Sequence, residues 1–215
     1  MRSYTKGLVV NGTTFAVATK HTVFANSASQ AVGGTLRVVN NNAADQTIEV
    51  WAGDNATDDK WRVLPQRTVK GLSTMSVPAV VIGPSQLLAI QSSAIGASVT
   101  FDGAYEDDYT QAANGAILVD GTTYALSTYH SFFTASAGDS YRGNVMIINH
   151  GTTNGTVLLT RTVGGDRIER VPLNQKSLVD VTDVLVGEEA VSDSLQIYST
   201  VANVSAAFRG WQMEG

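Results

Sequence analysis

Three histidines are the residues best suited to acid–base work or metal binding at neutral pH. His21 and His130 stand in matching contexts, before Thr22-Val23-Phe24 and Ser131-Phe132-Phe133. Either could ligate a metal or shuttle a proton. The competing reading is a strand-end histidine whose ring nitrogens satisfy nearby backbone groups. No second histidine, cysteine or carboxylate sits at ligand spacing from either one, which favours the structural reading. His150 falls opposite Asn41 and reads as a loop residue. Cysteine is absent, so disulfides, thiolate zinc sites and a cysteine nucleophile are excluded. No Gly-x-Ser-x-Gly occurs to mark a serine nucleophile. The acidic run Asp54-Asn55-Ala56-Thr57-Asp58-Asp59 has oxygen ligands for calcium but lacks the glycine and closing glutamate of a calcium loop. It reads as a solvated loop, and Glu106-Asp107-Asp108 as a solvated linker. Gly33-Gly34 and Gly164-Gly165 read as turns between strands, not as phosphate loops before a helix. Neither a catalytic residue nor a cofactor or metal is assigned, and the expectation is a protein that is not an enzyme.

Trp51, Trp61 and Trp211 carry a different chemistry. A flat indole on a sheet face can stack on a sugar, or it can pack in a core or an interface. None of the three has a tryptophan at its repeat position, and interface packing is the leading expectation, with glycan stacking as the alternative.

The elements that hold these residues come in two sets, because the sequence repeats itself. The run from Leu8 to Phe24 recurs 109 residues later from Ile117 to Phe133, with eight of seventeen positions identical. Gly12, Thr13, Thr14, Ala16, Thr19 and His21 fall on Gly121, Thr122, Thr123, Ala125, Thr128 and His130. Near the ends the offset is 107, placing Leu88, Ile90, Phe101 and Gly103 on Leu195, Ile197, Phe208 and Gly210. The second copy has lost a net two residues in its middle. This is read as a tandem duplication, with domains at 1–107 and 108–215 and a polar linker at Asp107–Asn114.

Each copy alternates short β-branched and aromatic runs with turn signals, and no long amphipathic helix is evident. Asn11-Gly12 and Asp120-Gly121 carry the two-residue hairpin signature. Strands are expected at Leu36–Val39, Thr47–Trp51, Lys60–Leu64, Val77–Ile82, Leu87–Ser92 and Ala97–Phe101. The second copy repeats them at Val145–Ile148, Thr156–Thr160, Arg167–Val171, Leu178–Val184, Ser194–Ser199 and Ala202–Phe208. A short helical turn is an alternative at Ala52–Asp58 and at Val181–Leu185. The fold class is all-β, two tandem β-sandwiches of jelly-roll or immunoglobulin-like type, with seven or eight strands each.

Of the 215 residues, 15% are charged and 43% apolar, which excludes a disordered chain and a coiled coil. The net charge of −5 argues against a general nucleic-acid binder. It is unevenly placed: residues 1–107 carry eight basic and eight acidic groups, residues 108–215 six and eleven. No apolar stretch approaches the ~20 residues of a membrane helix, and the start of the chain lacks a secretory apolar region. Neither nucleic acid nor membrane is expected as a partner.

In its Thr/Ala/Val/Gly/Asn-rich strands, such as Gly12–Thr19, and in its duplication, the chain resembles small virion proteins of tailed bacteriophages, of the capsid decoration or cement type. The resemblance implies a structural protein that clamps the major capsid protein or other virion proteins, located in the virion and assembled in the host cytoplasm. A duplicated chain forming a homotrimer would present a pseudo-sixfold ring, so a homo-oligomer, with a trimer favoured, is expected. The alternative is a tandem carbohydrate-binding or host-recognition module.

Overall fold

The computed structural model describes residues 3–105, 112–163, 167–187 and 190–213. The chain divides into two compact units, Met1–Asp58 with Arg62–Tyr109, and Asp59–Trp61 with Thr110–Gly215. The first holds β1 (Ser3–Val10), β2 (His21–Ala25), β3 (Val32–Asn40), β4 (Gln46–Gly53), β5 (Arg67–Val69), β6 (Thr74–Ile82), β7 (Leu87–Ser92) and β8 (Ala97–Tyr105). The second holds β9 (Ala112–Val119), β10 (Tyr129–Ala135), β11 (Ser140–Asn149), β12 (Gly155–Arg161), β13 (Arg167–Leu173), β14 (Leu178–Gly187), β15 (Asp193–Ser199) and β16 (Val204–Gln212). A single 3₁₀ turn spans Asp59–Trp61.

The first unit is built of two antiparallel four-stranded sheets, β1-β8-β3-β6 and β2-β7-β4-β5. The second repeats the order one for one as β9-β16-β11-β14 and β10-β15-β12-β13. In an immunoglobulin-like sandwich the first two strands share a sheet. Here β1 and β2 lie in different sheets, and the eight strands are wound as a jelly roll.

Inward residues alternate along the strands. In β3 and β4, Leu36, Val38, Ile48 and Val50 are buried between the sheets. An aromatic pair bridges the two layers in each unit. The rings of Phe24 on β2 and Phe101 on β8 are 5.7 Å apart, and those of Phe133 on β10 and Phe208 on β16 are 4.6 Å apart. Bulges also recur, between Thr22 and Phe24 and between Ser131 and Phe133. A second pair lies between Gly34 and Leu36 and between Gly143 and Val145. The extra residues opposite Gly34–Leu36 include Pro78, which is tolerated because a bulge on an edge strand asks for no ladder donor. Gly33 and Gly34, expected in a turn, lie in β3 instead. There Gly34 faces Gly103, and a Cβ would overlap the Asp102 carbonyl, so the strands meet closely under the Phe101 ring.

Three further expectations change. No strand forms over Lys60–Leu64: the 3₁₀ turn and an isolated bridge from Arg62 to Trp51 take its place, and Pro65 removes a ladder donor before β5 begins at Arg67. The helical turns considered at Ala52–Asp58 and Val181–Leu185 give way to β4, which runs to Gly53, and to β14, whose bulge puts Asp183 at φ 63°. Of the linker expected at Asp107–Asn114, residues 112–114 open β9. The remainder, with the boundary at 107/108, the pair Glu188-Glu189 and Gly164-Gly165, lies outside the described residues.

Candidate functional site

The Asn11-Gly12 and Asp120-Gly121 signals do not make two-residue hairpins. Each opens a loop, ten residues at 11–20 and nine at 120–128, that carries the chain from one sheet to the other. The local chemistry explains why. The Asn11 Oδ1 accepts from the amides of Thr13 and Thr14 at 2.9 Å, and Asp120 Oδ1 accepts from Thr122 at 2.8 Å and Tyr124 at 3.1 Å. Gly12 and Gly121, at φ 78° and 85°, donate to the Phe15 and Tyr124 carbonyls. A side chain that gathers amides curls the loop on itself instead of closing a hairpin. The Thr122 and Tyr124 amides also hold the Asp120 carboxyl below its ordinary range.

His21 and His130 fasten these loops. Their Nε2 atoms lie 2.7 Å from the Ala16 oxygen and 2.8 Å from the Ala125 oxygen. A carbonyl only accepts, so each Nε2 carries the proton. Each imidazole also meets an aromatic ring edge-on, Phe15 at 5.2 Å and Tyr124 at 5.3 Å. Among the described residues no group of three or more acidic, histidine or cysteine side chains is placed to share a metal ion. In the acidic run after β4, Asn55 Oδ1 accepts from the Thr57 and Asp58 amides, and Asp54 accepts from Gln86. His150 is buried, with Nε2 2.8 Å from the Ser205 hydroxyl, and Asn41 reaches Ser98 in the same way in the first unit.

The tryptophans are less available than their sequence positions imply. Trp51 projects from the outer face of β4 yet is fully buried. Arg62 and Val63 pair alongside β4, Val63 N bonding Val50 O at 2.8 Å, and the cover over the ring is made by side chains, with Lys20 Nζ tied to the Thr57 carbonyl at 3.3 Å. Lys20 Nζ stands 4.2 Å from the ring centre, and the Arg62 guanidinium stands 5.3 Å away while pairing with Glu49 at 3.3 Å. A ring closed in this way has no face for a sugar. Trp61, in the 3₁₀ turn, is 4% exposed, and Trp211 on β16 is half-buried.

The matching face of the second unit is built differently. Only residues 162–166 join β12 to β13, and β13 has seven residues where β5 has three. Thr160 occupies the place of Trp51, and Tyr129 the place of Lys20. Tyr129, Thr156, Leu158, Arg170, Tyr198 and Thr200 line an open groove of about 360 Å³ there. The Tyr129 and Tyr198 rings are 5.3 Å apart and tilted by 48°. Sequence reasoning passed over these residues because tyrosines and one arginine on alternating strands carry no motif. The available signal was the repeat itself, in which Lys20 and Gln91 fall on Tyr129 and Tyr198.

The loop ends differ as well. Leu72 at φ 53° and Lys176 at φ 50° hold one structural position, their amides bonding the Asn42 and Gly151 carbonyls. Leu72 is 74% exposed and Ile95, whose repeat position is Ala202, is 51% exposed. The first unit thus ends in an apolar tip where the second ends in a lysine and an alanine.

No protein-family model matches the chain, and no curated protein matches it. Solved structures do. The STIV MCP aligns over 99% of this chain and 97% of its own, at 9% identity and a TM-score of 0.38. A structure of infectious bursal disease virus, Gx strain, aligns over 97% and 71% at 12% identity and a TM-score of 0.26. The N-terminal CBM22-1-CBM22-2 tandem domain from Paenibacillus barcinonensis Xyn10C aligns over 88% and 80% at 11% identity and a TM-score of 0.26. At such scores the fold is read from the chain's own strand order. Among the described residues no helix is long and apolar enough to cross a membrane.

Proposed function

We propose that the chain is a structural, non-catalytic virion protein, a duplicated double jelly roll that binds neighbouring capsid subunits in the manner of a decoration or cement protein. The observation that carries this reading is a pair of jelly rolls with one strand order and unlike loop ends. Like strand order presents two similar bodies to a symmetric lattice, and a homotrimer of such chains supplies six of them around one axis. Unlike ends assign them different neighbours. Leu72 and Ile95 expose apolar surface at a loop tip, which is favourable when another subunit covers it. The low charged fraction of 15% fits surface reserved for such contacts.

Light scattering on size-separated protein tests the assembly. A homo-oligomer is expected, and Leu72→Lys, which copies the second unit, shifts it to smaller species while Lys176→Ala leaves it intact. A strict monomer at the highest soluble concentration overturns the reading, and so does an oligomer indifferent to Leu72→Lys.

A further inference from the structure

We propose that the groove on the outer face of the β10-β15-β12-β13 sheet binds acidic oligosaccharides. A pyranose ring stacks on Tyr129 and Tyr198, and a sugar carboxylate pairs with Arg170. This site is separate from the assembly role and stands whether or not that role holds.

Four features of the groove point to this ligand. Tyr129 keeps 45% of its surface exposed beside Tyr198, and the 48° tilt between the rings leaves a shallow V open to solvent. Aromatic pairs gain by burial, and the aliphatic face of a sugar ring is the flat, partly apolar surface that a V of tyrosines receives while leaving both hydroxyls free to bond. Arg170 is the second feature. Arg37, Arg62, Arg142 and Arg161 each pair with a carboxylate. Arg170 is exposed at the groove with no hydrogen bond or ion pair among the described residues, so its planar fork is free to take a carboxylate in two bonds. Third, hydroxyls line the same end. Thr200 Oγ1 is held by the Thr156 amide at 2.9 Å, which fixes the rim, and the Thr156 hydroxyl makes no bond among the described residues. Fourth, half-buried Leu158 forms the floor, so the groove joins an apolar base to a few placed polar groups, the composition of small-ligand sites.

The charge setting narrows the ligand. One arginine in a half-chain carrying six basic and eleven acidic groups attracts a single carboxylate but repels a polyphosphate such as nucleic acid. The fold does not demand the groove. The first unit has the same strand order, yet at the equivalent places it sets Lys20, Gln91 and Glu49, with Lys20 drawn over Trp51 and Glu49 paired with Arg62. The open tyrosine pair is an addition to the jelly roll and not a consequence of it.

Calorimetric titration of the full chain with 3′-sialyllactose and 6′-sialyllactose, each carrying one carboxylate, tests the site, with cellohexaose and lactose as neutral counterparts. At least one acidic probe is expected to bind with a Kd between about 10 μM and 1 mM. Tyr198→Ala weakens it by about tenfold or more, and Arg170→Gln removes the preference for acidic over neutral sugar. Gln91→Ala, at the matching place in the first unit, leaves binding unchanged. Should Tyr198→Ala unfold the sheet, Tyr129→Ala decides, because Tyr129 is the more exposed of the two. The proposal is overturned if no acidic probe binds at about 5 mM, if neutral sugars bind as tightly, or if a folded Tyr129→Ala/Tyr198→Ala variant still binds.

Discussion

The β2-β7-β4-β5 face of the first unit and the β10-β15-β12-β13 face of the second share a strand order and are put to different uses. In the first, Trp51 lies on the outer face under the side chains of Lys20 and Arg62. In the second, the connection is short, β13 continues along the edge of β12 where Arg62 and Val63 pair with β4 in the first, and Tyr129, Tyr198 and Arg170 are left in the open. A jelly-roll sheet needs only its inner face buried. Its outer face can therefore be spent on stability in one unit and left free for recognition in the other.

The same divergence appears at the start of β7 and β15. Gln86 and Asp193 occupy one position, and each accepts from a glycine amide, Gly83 at 2.8 Å and Gly187 at 3.1 Å. Gln86 does so as a neutral amide that also donates to Asp54. Asp193 is fully buried, pairs with Arg161 Nε at 2.6 Å and accepts from the Val163 amide at 3.1 Å. Burial pushes its carboxyl up, but the Val163 and Gly187 amides and the Arg161 guanidinium outweigh burial and hold it below the usual range. A further buried cation stands on β16, where Arg209 takes the repeat position of Asp102. Burial drives its pKa down to about 10 against the pull of Asp180.

The contrast between the units can be broken at graded positions. Trp51→Ala is expected to have the largest effect, a loss of about 4 kcal/mol by the cost of emptying a buried aromatic site. Thr160→Ala, its counterpart, costs about 1 kcal/mol or less, and urea denaturation of the two variants gives the ratio. Asp193→Ala follows at about 3 kcal/mol, because it strands Arg161 with its partner gone, while Gln86→Ala costs about half as much. Hydrogen exchange resolved by residue should place the first loss in the second unit and the other in the first.

Acid should separate the units in the same direction. The folded Asp193 carboxyl titrates below the unfolded one, so its stabilisation is complete above the ordinary aspartate value of about 3.9 and is lost as pH falls through the lower folded value. Exchange protection in the second unit is expected to fall in that window, and Asp193→Asn removes this pH dependence. Equal acid sensitivity of Asp193→Asn and the unaltered protein would count against the assignment. The smallest effects lie where the units agree. His21→Ala and His130→Ala each cost about 1 kcal/mol, and thermal melts should show them alike, since both rings hold the same loop carbonyl.

All-β character was legible in the alternation of Leu36–Val39 and Thr47–Trp51, because a strand's period of two is written locally. The matched fastening of the loops by His21 and His130 could be anticipated from their equal contexts. Trp51 could not be placed, because its burial depends on the side chains of Lys20 and Arg62, which the fold brings over the ring. The Asn-Gly signal misled for a related reason. A turn motif reports which backbone angles are easy, and Asn11 spent that freedom on gathering amides in a loop between sheets.

The amino-acid sequence by itself determined the strand character, the matched loops and the uneven charge, all properties of composition and short-range spacing. Only the tertiary structure decided that the sandwich is a jelly roll, because strand order is settled by pairings such as β1 with β8 across some ninety residues. It alone decided that Trp51 is covered by Lys20 and Arg62 while Tyr129 and Tyr198 face an open groove. Exposure depends on what the rest of the chain lays over a residue, and no local pattern records that.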